Sequence, residues 1–154
     1  MLKCFVMVGI PGAGKSTEAG RIAEKENAVV VSSDAIKKEV NGDEADQSNL
    51  EKVFEIVTER VEKALSEQQN VVIDSANTTV FGREYWIDKL APYEAKMIAV
   101  YMRTPVELCL KRQALRERKV PEEVIMKMRS TLTVPSYSEG WDDINTVFPD
   151  GTRY

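Results

Sequence analysis

The chain has 154 residues, 43% of them hydrophobic and 30% charged, a length and balance that suit one globular domain with a real core. A net charge of −4 argues against a broad surface for coating nucleic acid, and no apolar run reaches the ~18 residues of a membrane helix. Histidine is absent, which removes histidine-dependent triads and most zinc sites and leaves a carboxylate or a lysine for any general base.

The N-terminus has no signal-peptide layout, because Met1-Leu2-Lys3 leads straight into the apolar run Cys4–Val8. That run reads as a buried parallel strand. Cys4 and Cys109 both lie in apolar surroundings, so a reducing cytoplasmic setting without a disulfide is expected. Directly after the strand comes Gly9-Ile10-Pro11-Gly12-Ala13-Gly14-Lys15-Ser16-Thr17, the pattern G-x-x-x-x-G-K-S of a phosphate-binding loop. A segment of helical composition, Thr17–Lys25, follows it. The strand–loop–helix context matters, because the glycines let successive N–H groups turn toward one centre and the helix dipole adds positive potential there. Lys15 is expected to reach the β- and γ-phosphates of a nucleoside triphosphate, and the Ser16 hydroxyl to ligate Mg²⁺.

A second strand, Ala28–Val31, completes a right-handed βαβ crossover. It runs into Ser32-Ser33-Asp34 and a short helix, Ala35–Val40, broken at Asn41-Gly42-Asp43. In the long helix that follows, Leu50, Val53, Phe54, Val57, Val61, Ala64 and Leu65 make one apolar stripe, read as core. Ser48-Asn49-Leu50-Glu51 is a capping-box signature at its start. The third strand, Asn70–Asp74, ends in an acid and is followed by Ser75-Ala76-Asn77 and a helix from about Val80 to Leu90. Lys96–Met102 is the fourth strand, and Thr104-Pro105-Val106-Glu107 opens the next helix with proline first and a second capping box. A helix from Pro121 to about Leu132, a loop at Ser136–Gly140 and a fifth strand at Ile144–Phe148 complete the chain.

Alternating strands and helices predict an α/β fold with a mostly parallel sheet, whose sites form beyond the carboxyl ends of the strands. The loop, Asp34 and Asp74 all fall there, Asp34 being read at the tip of the strand beside the loop. Asp34 can accept the proton of an attacking hydroxyl, with Lys37 one turn later to hold an anionic group of the acceptor; alternatively Asp34 is only a helix cap with a solvated lysine behind it. Asp74 has the position of a Walker-B acid, able to hold a Mg²⁺ water or orient the acceptor, or else to end the strand in an Asx turn. Between Arg103 and Lys119 six basic residues (Arg103, Lys111, Arg112, Arg116, Arg118, Lys119) face two acids (Glu107, Glu117). Arg112 and Arg116, four apart, can share a helix face and stack on adenine or stabilise a transferring phosphoryl group; a solvated helix face is the plainer alternative.

Together these residues resemble the P-loop polynucleotide 5′-hydroxyl kinases, including the kinase module of phage polynucleotide kinase, and the small ATP-dependent kinases around them. The likeness covers nearly the full chain. Gly9–Thr17 matches that family's Gly-x-Pro-Gly-Ser/Ala-Gly-Lys-Ser-Thr, so Gly9, Pro11, Gly12, Ala13, Gly14, Lys15, Ser16 and Thr17 are implied to bind ATP. Asp34 matches its general base, in a pattern Asp-x-x-Arg that reads Asp34-Ala35-Ile36-Lys37 here. Lysine lacks the bidentate fork of arginine. Asp74-Ser75-Ala76-Asn77 resembles the family's Asp-x-x-Asn, which faces the acceptor. The resemblance further implies a helical lid over about residues 111–135, with Arg116 on the transferred phosphate and Arg112 nearer the nucleotide. It also implies an open five-stranded adenylate-kinase-like sheet centred on the loop strand, Mg²⁺·ATP as phosphate donor, and a polynucleotide 5′-hydroxyl as acceptor. No phosphatase or ligase module is expected to follow, and no obligate protein partner is evident. A sugar acid, nucleoside, antibiotic, UDP-sugar or aminoacyl-tRNA is the alternative acceptor, and a non-catalytic nucleotide-binding regulator the alternative class.

Overall fold

The computed structural model describes residues 1–43, 48–116 and 120–154. Five apolar segments form strands β1 (Lys3–Val8), β2 (Ala28–Ser32), β3 (Asn70–Asp74), β4 (Lys96–Met102) and β5 (Asp143–Val147). They lie in the order β2-β3-β1-β4-β5, and every pairing between them is parallel. Among the described residues six α-helices accompany them: α1 (Lys15–Glu26), α2 (Ser33–Asn41), α3 (Leu50–Ser66), α4 (Val80–Leu90), α5 (Val106–Ala114) and α6 (Glu122–Thr131).

Side chains alternate across a strand, so each strand feeds two cores. From β1, Cys4 and Val6 pack with Ile36, Val53, Val57, Val61 and Trp86 of α2, α3 and α4. Phe5 and Met7 pack on the other face with Ala19, Ile22, Cys109 and Ile125 of α1, α5 and α6. Covering both faces is what allows β1, β3 and β4 to be apolar almost throughout. Both cysteines are buried and free. Among the described residues, no helix is long and apolar enough to cross a membrane.

The strand order corrects one expectation. β2 does not flank the loop strand; β3 lies between them, with Ser32 level with Asp74. The crossover helix α1 packs on both β2 and β3. As an edge strand β2 leaves Val29 and Val30 partly exposed. Two capping boxes also give way. α3 starts after Asn49, which takes the left-handed conformation (φ 55°) and makes no side-chain cap bond. α5 starts after Pro105, and the Thr104 hydroxyl turns elsewhere. In the α3 stripe, Val53, Val57, Val61, Ala64 and Leu65 are buried, but Leu50 and Phe54 are not.

Candidate active site

The loop after β1 is shaped by its glycines. Gly12 and Gly14 have φ of 86° and 96°, the left-handed region that glycine tolerates best. Gly12 also lies against α5, and a Cβ there would come within 2.7 Å of the Cys109 carbonyl oxygen. Neighbouring elements fix the loop through its backbone. The Gly9 N–H donates to the Ala76 carbonyl (3.0 Å). The Thr104 hydroxyl donates to the Ala13 carbonyl (2.9 Å), and Arg112 Nη1 to the Gly12 carbonyl (3.0 Å). The hydroxyls of Ser32 and Thr79 cap α2 and α4. α1 begins instead at Gly14, which has no side chain to cap it. Its first-turn N–H groups are therefore suited to an oxyanion, where the helix dipole also favours negative charge. Pro11 lies in the loop's turn and Thr17 in the exposed first turn of α1.

Lys15 Nζ donates to the Ile10 carbonyl (3.0 Å) at the mouth of this cradle. Burial pushes its ammonium below the ordinary lysine value, and Arg116 adds to that shift against the pull of Asp74 and Asp34. Lys15 thus feels the charges of Asp34, Asp74 and Arg116, drawn from three other parts of the chain. The Ser16 hydroxyl donates to Asp74 Oδ2 (2.9 Å). Burial raises the Asp74 carboxyl above the ordinary aspartate value, moderated by the Ser16 hydrogen bond and the Lys15 charge. Two hard oxygen donors this close suit Mg²⁺, which takes one or two protein ligands beside waters and phosphate oxygens. Ser33 Oγ reaches the Asp74 carbonyl at 3.5 Å, joining the start of α2 to the end of β3. Asp34 stands in the first turn of α2, capped by Ser32 rather than capping it. Its carboxylate is exposed, with Lys37 Nζ 3.5 Å from Oδ1.

Two sequence-predicted residues sit differently from expectation. Arg116 is not on the face of α5 with Arg112, because the helix ends at Ala114 and the chain turns tightly, with the Arg116 N–H bonded to the Gln113 carbonyl. Asn77 is engaged by the protein itself. Its amide nitrogen donates to the Met7 carbonyl (2.8 Å) and to Ser75, and its oxygen accepts from Trp86 Nε1 (3.2 Å). Arg103 lies over the Phe148 ring. Of the predicted lid, residues 117–119, with the basic pair Arg118 and Lys119, lie outside the described residues. Sequence reasoning missed the Thr104 brace on the loop, for which a capping-box reading competed. It also missed Arg83, fully buried, which binds Glu139 through Nε and Nη2 (2.8 and 3.0 Å) and donates to the Asn77 carbonyl. No sequence signal marked that arginine.

Residues 5–135, from the loop strand to beyond α6, match the AAA domain family. The chain belongs to this family. Among curated proteins, this AAA domain is 25% identical over 147 residues to a bifunctional polynucleotide phosphatase/kinase of Schizosaccharomyces pombe, covering 92% of the chain and 32% of that protein. It is also 25% identical over 143 residues to an L-seryl-tRNA(Sec) kinase of Methanococcus maripaludis, covering 90% of the chain and 55% of that protein. The chain thus spans about a third and about half the length of these relatives. Among solved structures it resembles a chain of the Pnkp1/Rnl/Hen1 RNA repair complex, with a TM-score of 0.76 at 26% identity over 85% of this chain and 44% of that one.

Proposed function

We propose that the chain is an ATP-dependent phosphotransferase that moves the γ-phosphate to a hydroxyl, with a polynucleotide 5′-hydroxyl end as acceptor. The observation that supports it most is the Ser16–Asp74 hydrogen bond beside the buried Lys15, with Asp34 just after the end of neighbouring β2. The resemblance to a polynucleotide phosphatase/kinase supports the choice of acceptor.

In this reading Gly9, Pro11, Gly12, Ala13, Gly14 and Thr17 shape the triphosphate cradle, and Lys15 neutralises charge on the β- and γ-phosphates. The Ser16 hydroxyl and the Asp74 carboxylate, joined by their hydrogen bond, would hold Mg²⁺. Bound there, the ion supplies charge neutralisation to the phosphate oxygens. Asp34, exposed at the start of α2, accepts the proton of the attacking hydroxyl. Arg116 stabilises the transferring phosphoryl group, and Arg112 steadies the loop from α5 beside the nucleotide. Lys37 holds an anionic group of the acceptor, and Asn77 fixes the wall of the acceptor cleft. The buried free cysteines accord with a cytoplasmic setting.

The test is transfer of labelled γ-phosphate from Mg²⁺·ATP to a short 5′-hydroxyl oligonucleotide. Asp34→Ala should abolish labelling and leave nucleotide affinity within about twofold. Wild-type turnover by that variant on every acceptor would remove Asp34 from the chemistry. The second reading, a small-molecule or aminoacyl-tRNA hydroxyl, is favoured by Lys37 in place of the expected arginine and by the likeness to an L-seryl-tRNA(Sec) kinase. Labelling of such an acceptor, with none of the oligonucleotide, would decide for it. Nucleotide binding without turnover on any hydroxyl would decide for a regulator.

A further inference from the structure

Phe54 belongs by spacing to the buried stripe of α3, yet it is 43% exposed while Val53 and Val57 beside it are buried. Its ring is held from behind. It leans on Tyr85 (centroids 4.8 Å apart) and Trp86 (5.7 Å), and Tyr85 is fixed in turn by a 3.1 Å hydrogen bond to Thr58. In front of it opens a cavity of about 430 Å³, walled by Leu50, Phe54 and Trp86 and edged by Ser33, Lys37 and Ser75. Ser33 precedes Asp34 in the chain, and Lys37 lies 3.5 Å from the Asp34 carboxylate, so the cavity adjoins the proposed base. Lys37 and Glu51 are the charged groups lining it among the described residues, and their charges cancel. A polyanionic small acceptor would find one cation and one carboxylate there. A flat, uncharged ring attached to the reacting sugar suits the apolar wall, and Lys37 is left for a single phosphate.

We propose that this cavity is a stacking platform for the base of the acceptor's terminal nucleoside, with Phe54 as its floor and Asp34 facing the 5′-hydroxyl. The inference rests on the phosphotransferase reading and narrows its acceptors to those bearing a base. Stacking of a base on an aromatic side chain is worth enough to change affinity by roughly 5- to 150-fold.

The experiment compares two 5′-hydroxyl oligonucleotides, identical except that the terminal residue carries adenine or is an abasic ribose. Each is phosphorylated by wild type, Phe54→Ala and Phe54→Tyr. Phe54→Ala should lose about 10-fold or more in kcat/KM on the adenine-ended substrate, chiefly through KM, with less than twofold change on the abasic one. Phe54→Tyr should restore most of the loss. Unchanged nucleotide affinity would show that the variants are folded. An equal loss on both substrates, or none on either, overturns the platform. If wild type labels neither oligonucleotide, the polynucleotide reading fails and calorimetry decides the platform separately. Phe54-dependent binding of free adenosine, absent with ribose, upholds it for a nucleoside acceptor. No adenosine binding by wild type overturns it.

Discussion

At the scale of single residues, chemistry is concentrated where the backbone is least free. Gly12 shows this best. Its φ of 86° and the 2.7 Å approach of the Cys109 carbonyl to any added Cβ mean that alanine must displace either the loop or α5. Gly12→Ala should raise KM for ATP at least tenfold, measured by steady-state phosphate transfer, and lower Tm as well. Lys15→Ala should act differently. In the proposed reaction it removes a charge that serves the transition state, so kcat should fall about 10²-fold or more. These positions were legible in the sequence because the motif is local: nine consecutive residues specify both a conformation and a charge. The Thr104 bond to Ala13 joins residues 91 positions apart, and no pattern along the chain announces it. Phe54 was misread for a related reason, since helical spacing reports which face a residue shares but not whether anything covers it.

At the scale of elements, a buried ion pair helps fasten the chain beyond α6 to α4. Arg83 of α4 is fully buried and holds Glu139 with two hydrogen bonds, while Trp141 Nε1 donates to the same carboxylate (3.0 Å). The Thr133 N–H adds a backbone bond to Thr78 (2.9 Å). Removing one partner of such a pair strands the other charge in the interior. Arg83→Ala should therefore cost about 3–5 kcal/mol in urea unfolding. Burial would raise the Glu139 carboxyl, but hydrogen bonds from Arg83 and Trp141 outweigh it and hold it below the ordinary glutamate value of 4.5. A carboxylate depressed in the folded state stabilises fully above its unfolded value and loses that contribution as pH falls through the folded one. Wild-type stability should thus decline below pH 4.5, and Glu139→Gln should be less stable at neutral pH with a shallower acid decline. The helices themselves were legible from period and punctuation, and α4 runs from Val80 to Leu90 as read. Their caps were less so. Asn49 in a left-handed turn displaced the Ser48 box, because a capping signature shows which residues can close a helix end while the incoming chain's path decides which does.

At the scale of the molecule, alternating strand and helix patterns were enough to give a parallel sheet with its site beyond the strand ends, but not the strand order. The crossover from β1 to β2 skips one place, and β3, arriving later in the chain, fills it. Local signals contain no term for such an insertion. It matters for the proposed function: β3 brings Asp74 to Ser16, while β2 carries Asp34 one strand farther out, where the acceptor would bind. The proposed donor and acceptor ends of the site are therefore separable. α1 and α5 flank the loop on one face of the sheet, and α2 and α3 pack on the other, where the proposed acceptor would lie. A ligand bound only to the folded state at 100 times its Kd adds about 2.7 kcal/mol. For a domain of this size that corresponds to a rise in Tm of roughly 5–10 °C. A non-hydrolysable ATP analogue with Mg²⁺ should produce that rise in wild type by scanning calorimetry. Asp34→Ala should keep the full shift, because its carboxylate belongs to the acceptor half. Lys15→Ala should lose most of it at the same ligand concentration. Equal shifts in both variants would mean that Lys15 does not hold the triphosphate, and loss of the shift in Asp34→Ala would merge the two halves into one.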